Sequence, residues 1–494
     1  METLPSEINT ASLSEFLTHF EGSFEFVPQY GVDVKAAFGE ATLAFVASGR
    51  QPTETEGLIK PSLEDQALGL RTLRTLMREK KGIDKLRNEE ALKLYLECLQ
   101  EEGDSENGYE VCLNGLRCVT NTMHENVAGR ELFLKLGGLT QFHDLLKKPR
   151  LPVIFFFVIR NLYFVLGHHQ SEIPQIMCNG FAPTIMATLA WCVKFTPPLF
   201  PEGEYRCQLA TECLRMLFLL RSMEVDNKPL VFAKEGASSD PQCIVCGEAV
   251  ENPDETVNEI LKLNDVQISE EQLNATSVTS FHIDIADIIC EVFPLLRSHG
   301  NENVNIRSVK LEAVNVLMYL PASTFHRFVE AGVIEDLVIF LEQQIDQFAN
   351  DIRSEHTIQL TPILVALTNL ATPDICIRKR IKELIFPPEA DKIWQEKKRK
   401  EEELGQLEMD ELDASERKMH PIDAPKGTLR AKLISLLTAI DSTTKRYAGE
   451  LLYALCNNES EEFVLRTGFG NAVVMLQSKG LVDLPQMMAA NSKS

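Results

Sequence analysis

The chain has 494 residues, 44% of them hydrophobic, so it can form a large core arranged as several domains or as one array of repeats. Acidic residues outnumber basic ones by 72 to 49, and the formal net charge is −23. This balance argues against nucleic acid and anionic membranes as partners, and it favours a protein with a cationic face.

The amino terminus and the cysteines indicate a reducing, cytoplasmic location. The first residues, METLPSEINTASL, have neither the basic nor the apolar segment of a secretory signal. The longest apolar run, 151–166, is interrupted by Arg160 and Asn161 and is too short to span a membrane. Most of the 12 cysteines stand singly in apolar stretches, as buried free thiols do. We expect a cytoplasmic protein without a transmembrane segment.

Apolar residues recur with helical period in almost every segment, and the alternation typical of strands is absent. This period predicts helices over 64–79, 110–122, 153–166, 207–222, 308–320, 335–348 and 360–371. In the last clear example, 428–440, one apolar stripe contains Leu429, Leu433, Leu436, Leu437 and Ile440. The sequence therefore predicts an all-α protein.

The helical segments form a weak internal repeat. Several apolar helices end near an asparagine: Asn121, Asn161, Asn369 and Asn457. Glycines then precede the next helix: Gly138, Gly180, Gly236, Gly332 and Gly468. The first two glycines are about 42 residues apart, within the roughly 40–47 expected of armadillo and HEAT units. Because one helix group cannot bury its stripe alone, we predict an armadillo- or HEAT-like right-handed superhelical solenoid.

Two segments interrupt this array and set the predicted domain boundaries. Residues 1–388 form armadillo-like repeats with an acidic loop at 236–276. Residues 389–427 are highly charged and are interpreted as an insertion or linker. The final repeat spans 428–482, and a disordered tail spans 483–494.

Gly468-Phe469-Gly470 has the glycine spacing of some phosphate-binding loops, but its surroundings differ. A dinucleotide fingerprint needs a strand before its first glycine and a small residue three places after its second. Here a helical segment precedes, and Val473 occupies that later place. We therefore interpret Gly468 as a helix end in the left-handed conformation that glycine tolerates.

Other motifs for enzyme chemistry are weak. Cys243 and Cys246 form a lone CxxC without a second pair for zinc, and two free thiols in a loop is the favoured interpretation. His168 and His169 follow an apolar helix and are interpreted as a helix-end pair. We expect no metal, no cofactor and no covalent catalysis, so a binding surface is favoured over an enzyme.

Two residue types could form such a surface. Arg74 and Arg78 lie four apart on one predicted helix face and could bind a carboxylate, although from these residues alone a solvated basic face is the favoured interpretation. The recurring asparagines could bind the backbone of a peptide along the repeat groove, or each could cap its own helix.

Residues 429–481 carry a more specific pattern, which resembles the synembryn family, the proteins of resistance to inhibitors of cholinesterase 8. The ordered features are Asp441, Lys445-Arg446, Leu455-Cys456 and Thr467-Gly468-Phe469-Gly470-Asn471-Ala472. Weaker similarity extends upstream through TLRTLMR, GLRCVTN, FFFVIRNLYFVL and AVNVLMYLP. The resemblance implies an armadillo-like solenoid that acts as a cytosolic chaperone and non-receptor guanine nucleotide exchange factor for heterotrimeric G-protein α subunits.

The resemblance also implies the binding residues. The family's groove takes the last helix of the α subunit, GDP-bound or nucleotide-free, and loosening that helix releases GDP. Its carboxylate-binding pair falls on Arg74 and Arg78, its groove asparagine on Asn121, and its aromatic on Phe157, followed by Arg160. Recruitment to the plasma membrane or cell cortex is a further expectation.

The chain departs from the family pattern in the middle of the groove. Leu219 and Tyr319 stand where the family often has asparagine, so the predicted groove is less polar there. The family usually carries a longer carboxyl-terminal region. We expect capture of the α-subunit helix to survive without that region, whereas exchange activity could depend on it. The alternative is a general armadillo-type scaffold without exchange activity.

Overall fold

The computed structural model describes residues 4–5, 8–20, 30–50, 60–101, 106–146, 152–173, 181–194, 204–226, 285–293, 304–350, 354–387 and 427–481. All regular secondary structure within these ranges is helical, which confirms the all-α prediction. The acidic loop 236–276, the charged insertion up to residue 426, the tail 483–494, Gly180 and the CxxC motif lie outside the described residues. The chain divides into two compact units, Met1–Phe281 and His282–Ser494.

The first unit contains ten long helices among its described residues. They are α1 (Thr10–Phe20), α2 (Val32–Ser48), α3 (Leu63–Leu76), α4 (Glu89–Cys98), α5 (Glu106–Met123), α6 (Val127–Lys135), α7 (Gly138–Leu146), α8 (Pro152–Leu166), α9 (Phe181–Lys194) and α10 (Glu204–Asp226). Short 3-10 helices occur at Asp84–Leu86 and Gln170–Glu172.

Four of these helices, α3, α5, α8 and α10, form what we call the first stacked row. Each packs against the next, and α2, α4, α7 and α9 cover them in turn. The apolar stripes lie between the stacked helices, where Leu70, Leu116 and Leu162 are completely buried. Contacts limited to successive neighbours are the packing pattern of a helical-repeat solenoid.

The sequence at its two ends explains the position of α3. The Ser62 hydroxyl accepts a hydrogen bond from Asp65 N (3.1 Å), and Asp65 accepts one from Ser62 N (3.0 Å), which forms a capping box. The helix ends at Leu76, three residues before the predicted end at 79. The chain then turns, and Gly82 adopts a positive φ of 77°. Arg78 therefore lies beyond α3.

The second unit continues with residues 285–293, which are helical, and nine further helices in its described part. These are α11 (Val304–Leu317), α12 (Phe325–Glu330), α13 (Val333–Asn350), α14 (Ser354–Ala371), α15 (Ile375–Ile385), α16 (Leu429–Leu436), α17 (Ser442–Leu455), α18 (Ser460–Thr467) and α19 (Phe469–Ser478). Helices α11, α14 and α17 pack in sequence and form the second stacked row. A 3-10 helix spans Ala322–Thr324.

The predicted helix 428–440 is too long at its carboxyl end. Helix α16 stops at Leu436, and Ile440 is 98% exposed, so its assignment to the buried stripe was wrong. The reason lies one residue later, where Asp441 accepts a hydrogen bond from Thr444 N at 2.6 Å and caps α17. The strong start signal of α17 ends the preceding helix before Ile440 can join it.

Gly468 joins α18 to α19 and has φ 85° and ψ 144°. Its N–H donates to Val464 O (2.7 Å), and its carbonyl accepts from Ala472 N (3.0 Å). This confirms the helix-end interpretation, because side chains other than glycine rarely adopt this backbone. Gly332 likewise has a positive φ of 73°. The prediction for Gly138 was wrong, since Gly137 makes the turn (φ 72°) and Gly138 begins α7.

Most cysteines in the described ranges are buried, as the sequence predicted, whereas Cys376 is exposed. Cys98, Cys112, Cys118, Cys213 and Cys456 are buried free thiols, and Cys290 is half-buried. Burial raises the pKa of Cys98 to about 12, so this thiol stays protonated at neutral pH. No helix in the described ranges combines the length and apolarity that crossing a bilayer requires.

We predict that Gly468→Ala destabilises the second unit by about 1–2 kcal/mol, because alanine is strained at this φ. The matched control is Gly470→Ala, two residues later inside α19, where a Cβ would meet nothing within 4 Å. The control should be neutral or slightly stabilising, because alanine favours a helix interior. Thermal unfolding measures both, and equal melting temperatures would contradict the assigned backbone.

Candidate protein-binding surface

Each helix of the first stacked row carries at least one half-buried arginine. One from each helix forms what we call the arginine row: Arg74 on α3, Arg117 on α5, Arg160 on α8 and Arg215 on α10. Arg71 on α3 and Arg206 on α10 are half-buried as well. The chain as a whole is strongly acidic, with a net charge of −23. Four guanidinium groups on consecutive stacked helices therefore form a local cationic surface that the overall charge does not suggest.

The two arginines at the end of α3 do not share a helix face. Arg74 lies in the last turn of α3, whereas Arg78 lies in the following turn, and the predicted common face is wrong for Arg78. The Arg78 guanidinium reaches the Phe20 carbonyl at 3.5 Å. Both side chains nevertheless emerge at the same end of α3, and Arg78 is exposed.

Asn121 connects the first two helices of this surface. Its side-chain amide donates to the Arg74 carbonyl (3.4 Å) at the end of α3. In the second unit, Asn369 on α14 donates to the Met318 carbonyl at the end of α11, also at 3.4 Å. These two side chains thus bind the neighbouring helix of the stack, and neither bond is a cap of the asparagine's own helix.

The other two repeat asparagines have different environments. Asn161 on α8 is completely buried, so its amide cannot reach a ligand at the surface. Asn457 lies beyond α17 with a positive φ of 55°, and its side-chain oxygen accepts from Arg378 (3.2 Å). The recurrence of asparagine in the sequence therefore combines at least three structural roles.

Phe157 on α8 contacts α5, the helix of Asn121, by a cation–π interaction. The Arg117 guanidinium, one turn before Asn121 on α5, lies 5.3 Å from the Phe157 ring centroid. Phe156 contacts the same ring edge-on at 5.0 Å. These contacts fix a half-buried aromatic face beside two polar side chains, a combination suited to an amphipathic helix.

Arg160 is held from three sides. Its guanidinium lies 5.5 Å from the rings of both Phe156 and Phe164. It also lies 3.5 Å from the Glu212 carboxylate on α10, and Arg215 donates to the same oxygen at 3.1 Å. Glu212 is only 4% exposed, whereas the two arginines are 37% and 39% exposed.

The five residues predicted from the sequence lie on three adjoining helices or just beyond one of them: Arg74 and Arg78 at the end of α3, Asn121 on α5, and Phe157 and Arg160 on α8. A hydrogen bond joins Asn121 to the Arg74 carbonyl. The sequence prediction missed Arg117, Glu212 and Arg215. The signal available was an arginine recurring at about one repeat length, and a glutamate three residues before Arg215 in an apolar helix. Leu219, one turn after Arg215, is half-buried, so the surface becomes apolar there.

The His168-His169 pair lies in the turn after α8. Both backbone N–H groups donate to the Val165 carbonyl, at 3.1 and 2.9 Å, as expected for a helix end. Within the described ranges, no group of three or more histidine, cysteine or acidic side chains is placed to hold a metal ion.

Comparison with known proteins places this surface in a family context. The family model described as guanine nucleotide exchange factor synembryn, Ric8, matches residues 69–403 and 414–494. The chain belongs to the synembryn family. The match includes every predicted binding residue and extends through both compact units.

Individual synembryn relatives are distant in sequence. The protein named Chaperone Ric-8A from Macaca fascicularis is 23% identical over 438 residues, which cover 84% of this chain and 68% of that protein. Chaperone Ric-8B from Rattus norvegicus is 23% identical over 439 residues, covering 84% and 75%. Rattus norvegicus Chaperone Ric-8A is 29% identical over a shorter stretch of 189 residues.

Solved structures add little to this assignment. A chain from a study of the phosphorylation switch between cadherin and β-catenin is 11% identical, with a TM-score of 0.36, and covers 99% of this chain and 96% of its own length. At that score, the fold assignment rests on the helix packing described above.

We predict that Asn121→Asp is more destabilising than Asn121→Ala. Alanine removes one hydrogen bond, which costs about 1 kcal/mol, whereas aspartate places an acceptor against the Arg74 carbonyl. Asn369 should show the same order in the second unit, since its amide faces the Met318 carbonyl. Thermal unfolding of the four variants measures this, and an aspartate as stable as the alanine would contradict the assigned donor.

Proposed function

We propose that this protein binds the carboxyl-terminal helix of heterotrimeric G-protein α subunits, as a chaperone and as a non-receptor guanine nucleotide exchange factor. Membership of the synembryn family supports the activity class, and the names of the relatives support the chaperone role. The observation that carries the proposal is the cationic and aromatic surface on the first stacked row of an otherwise acidic chain.

In this proposal, the free carboxylate at the end of the α subunit binds at the end of α3. Arg74 and Arg78 emerge there from helix and turn, and guanidinium groups bind carboxylates through charge-assisted hydrogen bonds. The last helix of the α subunit has a free main-chain carboxylate at its carboxyl-terminal end and none at its other end. The pair therefore fixes the direction in which the helix lies on the surface.

The remaining predicted residues contact the body of the bound helix. Phe157 and its stacked neighbours offer apolar area, which supplies most of the affinity in such interfaces. Asn121 uses its amide N–H within the fold, so its contribution to a ligand comes through the side-chain oxygen. Arg160 adds a cation beside the aromatic face.

Nucleotide exchange is a consequence of removing the bound helix from the α subunit. A helix that binds this surface leaves its place in the α subunit, which weakens the guanine pocket and releases GDP. The protein thus acts by differential binding, with higher affinity for the nucleotide-free state than for the GDP-bound state. This mechanism requires no covalent step and no cofactor. We propose a cytoplasmic location with recruitment to the plasma membrane or cell cortex.

The first test is GDP release from a purified α subunit. We expect release to accelerate when the full chain is added at micromolar concentration, and we expect a stable complex once GDP has left. Labelled GDP and size-exclusion chromatography measure the two steps. A complex without faster release would leave the chaperone role alone, and absence of both would favour a general armadillo scaffold.

The second test addresses the end of α3. Arg74→Ala combined with Arg78→Ala should weaken binding of an α-subunit carboxyl-terminal peptide by at least tenfold, since two charge-assisted contacts are lost. Isothermal titration calorimetry measures this loss. The matched control removes two cations elsewhere, Lys135→Ala with Arg380→Ala, whose partners are the surface residues Glu89 and Glu335.

The peptide itself provides a further control for that experiment. Amidation of its carboxyl terminus should weaken binding to the unmodified protein and should have little effect on binding to the double arginine variant. Equal affinities of the acid and amide forms for the unmodified protein would place the free carboxylate elsewhere.

A further inference from the structure

The Glu212 carboxylate is the only buried acid that faces the arginine row among the residues that the structure describes. It is 4% exposed and accepts hydrogen bonds from guanidinium groups of two helices, Arg160 on α8 and Arg215 on α10. A buried carboxylate is stable only when it is paired, and these two guanidinium contacts provide that pairing within the stack. In return, one fixed oxygen holds two cationic side chains from neighbouring helices together.

In this trio, two guanidinium groups contact one carboxylate oxygen. The negative group lies inside, and the positive groups are more than a third exposed. Arg160 is further immobilised between the Phe156 and Phe164 rings. Positive charge with restricted side-chain motion, beside an apolar face, is the arrangement that binds an anion with little ordering cost.

We propose that Arg160 and Arg215, held by Glu212, form a second carboxylate-binding subsite that takes an acidic side chain of the bound helix. This inference rests on the proposed function and extends it. The first subsite, at Arg74 and Arg78, reads the chain terminus, whereas the second reads an aspartate or glutamate within the helix. A partner would then need both features at the correct separation.

The fold sets that separation. The second subsite lies between α8 and α10, two to three helix steps along the row from α3, and packed helices lie roughly 8–10 Å apart. The two subsites are therefore roughly 20–25 Å apart. A helical ligand rises about 1.5 Å per residue, so the acidic side chain should lie about 13–17 residues before the carboxyl terminus.

The experiment uses the full chain and a series of helical peptides patterned on the α-subunit carboxyl terminus. In the parent peptide, glutamine replaces every acidic side chain, and the carboxyl terminus stays free. Each further peptide carries one glutamate, placed in turn at every position from about 11 to about 19 residues before the end. Calorimetry gives the affinity ratio between each glutamate peptide and the parent.

We expect glutamate at one position, or at two positions three to four apart, to bind roughly tenfold more tightly than glutamine. That gain should disappear in Arg215→Gln. The matched control is Arg206→Gln on the same helix, whose guanidinium stacks on Trp191 of α9 at 4.0 Å and should not affect the ratio. Thermal unfolding of both variants identifies any loss of fold.

Three outcomes separate this inference from the proposed function. A position-specific gain that Arg215→Gln abolishes supports the subsite. A uniform affinity across the series, with the acid form of the parent still binding better than its amide, rejects the subsite and leaves the proposed function intact. A glutamate gain that persists in Arg215→Gln also rejects the subsite, since another cation would then bind the side chain.

Discussion

The structure depends on one constraint, which is that no helix group of this chain can bury its own apolar stripe. Each helix of the first stacked row packs its apolar stripe against the next helix, and leucines such as Leu70, Leu116 and Leu162 are buried between them. This stacking also determines what can happen at the surface. Side chains that do not pack between helices lie on the outer face of each helix. Stacking brings these faces side by side, so residues far apart in sequence become neighbours.

The arginine row is a consequence of that arrangement. Its members lie on successive helices of the stack, so cations far apart in sequence are brought onto one row of a chain of net charge −23. The aromatic rings at Phe156, Phe157 and Phe164 separate and orient the guanidinium groups. On a chain that is acidic overall, this row is a local surface that attracts an acidic partner.

The sequence predicted the helical class and most of the helices because the apolar period is strong and local. It also predicted the turn at Gly468, whose flanking helices left no strand for a phosphate loop. It failed where a competing local signal decided the outcome, as when the Asp441 cap left Ile440 exposed. Arg78 fell outside α3 for a similar reason, since the turn to Gly82 begins before it. Glu212 was missed because one of its two partners, Arg160, lies on another helix and far away in sequence.

The two stacked rows provide an internal comparison that separates fold from function. Asn121 and Asn369 make the same bond to the preceding helix, with acceptors Arg74 and Met318. Arg130 and Arg378 each donate at 3.0 Å to a carbonyl seven residues earlier, at the ends of α5 and α14. These bonds therefore belong to the repeat. At the acceptor position itself, one row has a guanidinium and the other a thioether, so stacking does not require a cation there. In the proposed function, the charge of Arg74 binds an anionic ligand.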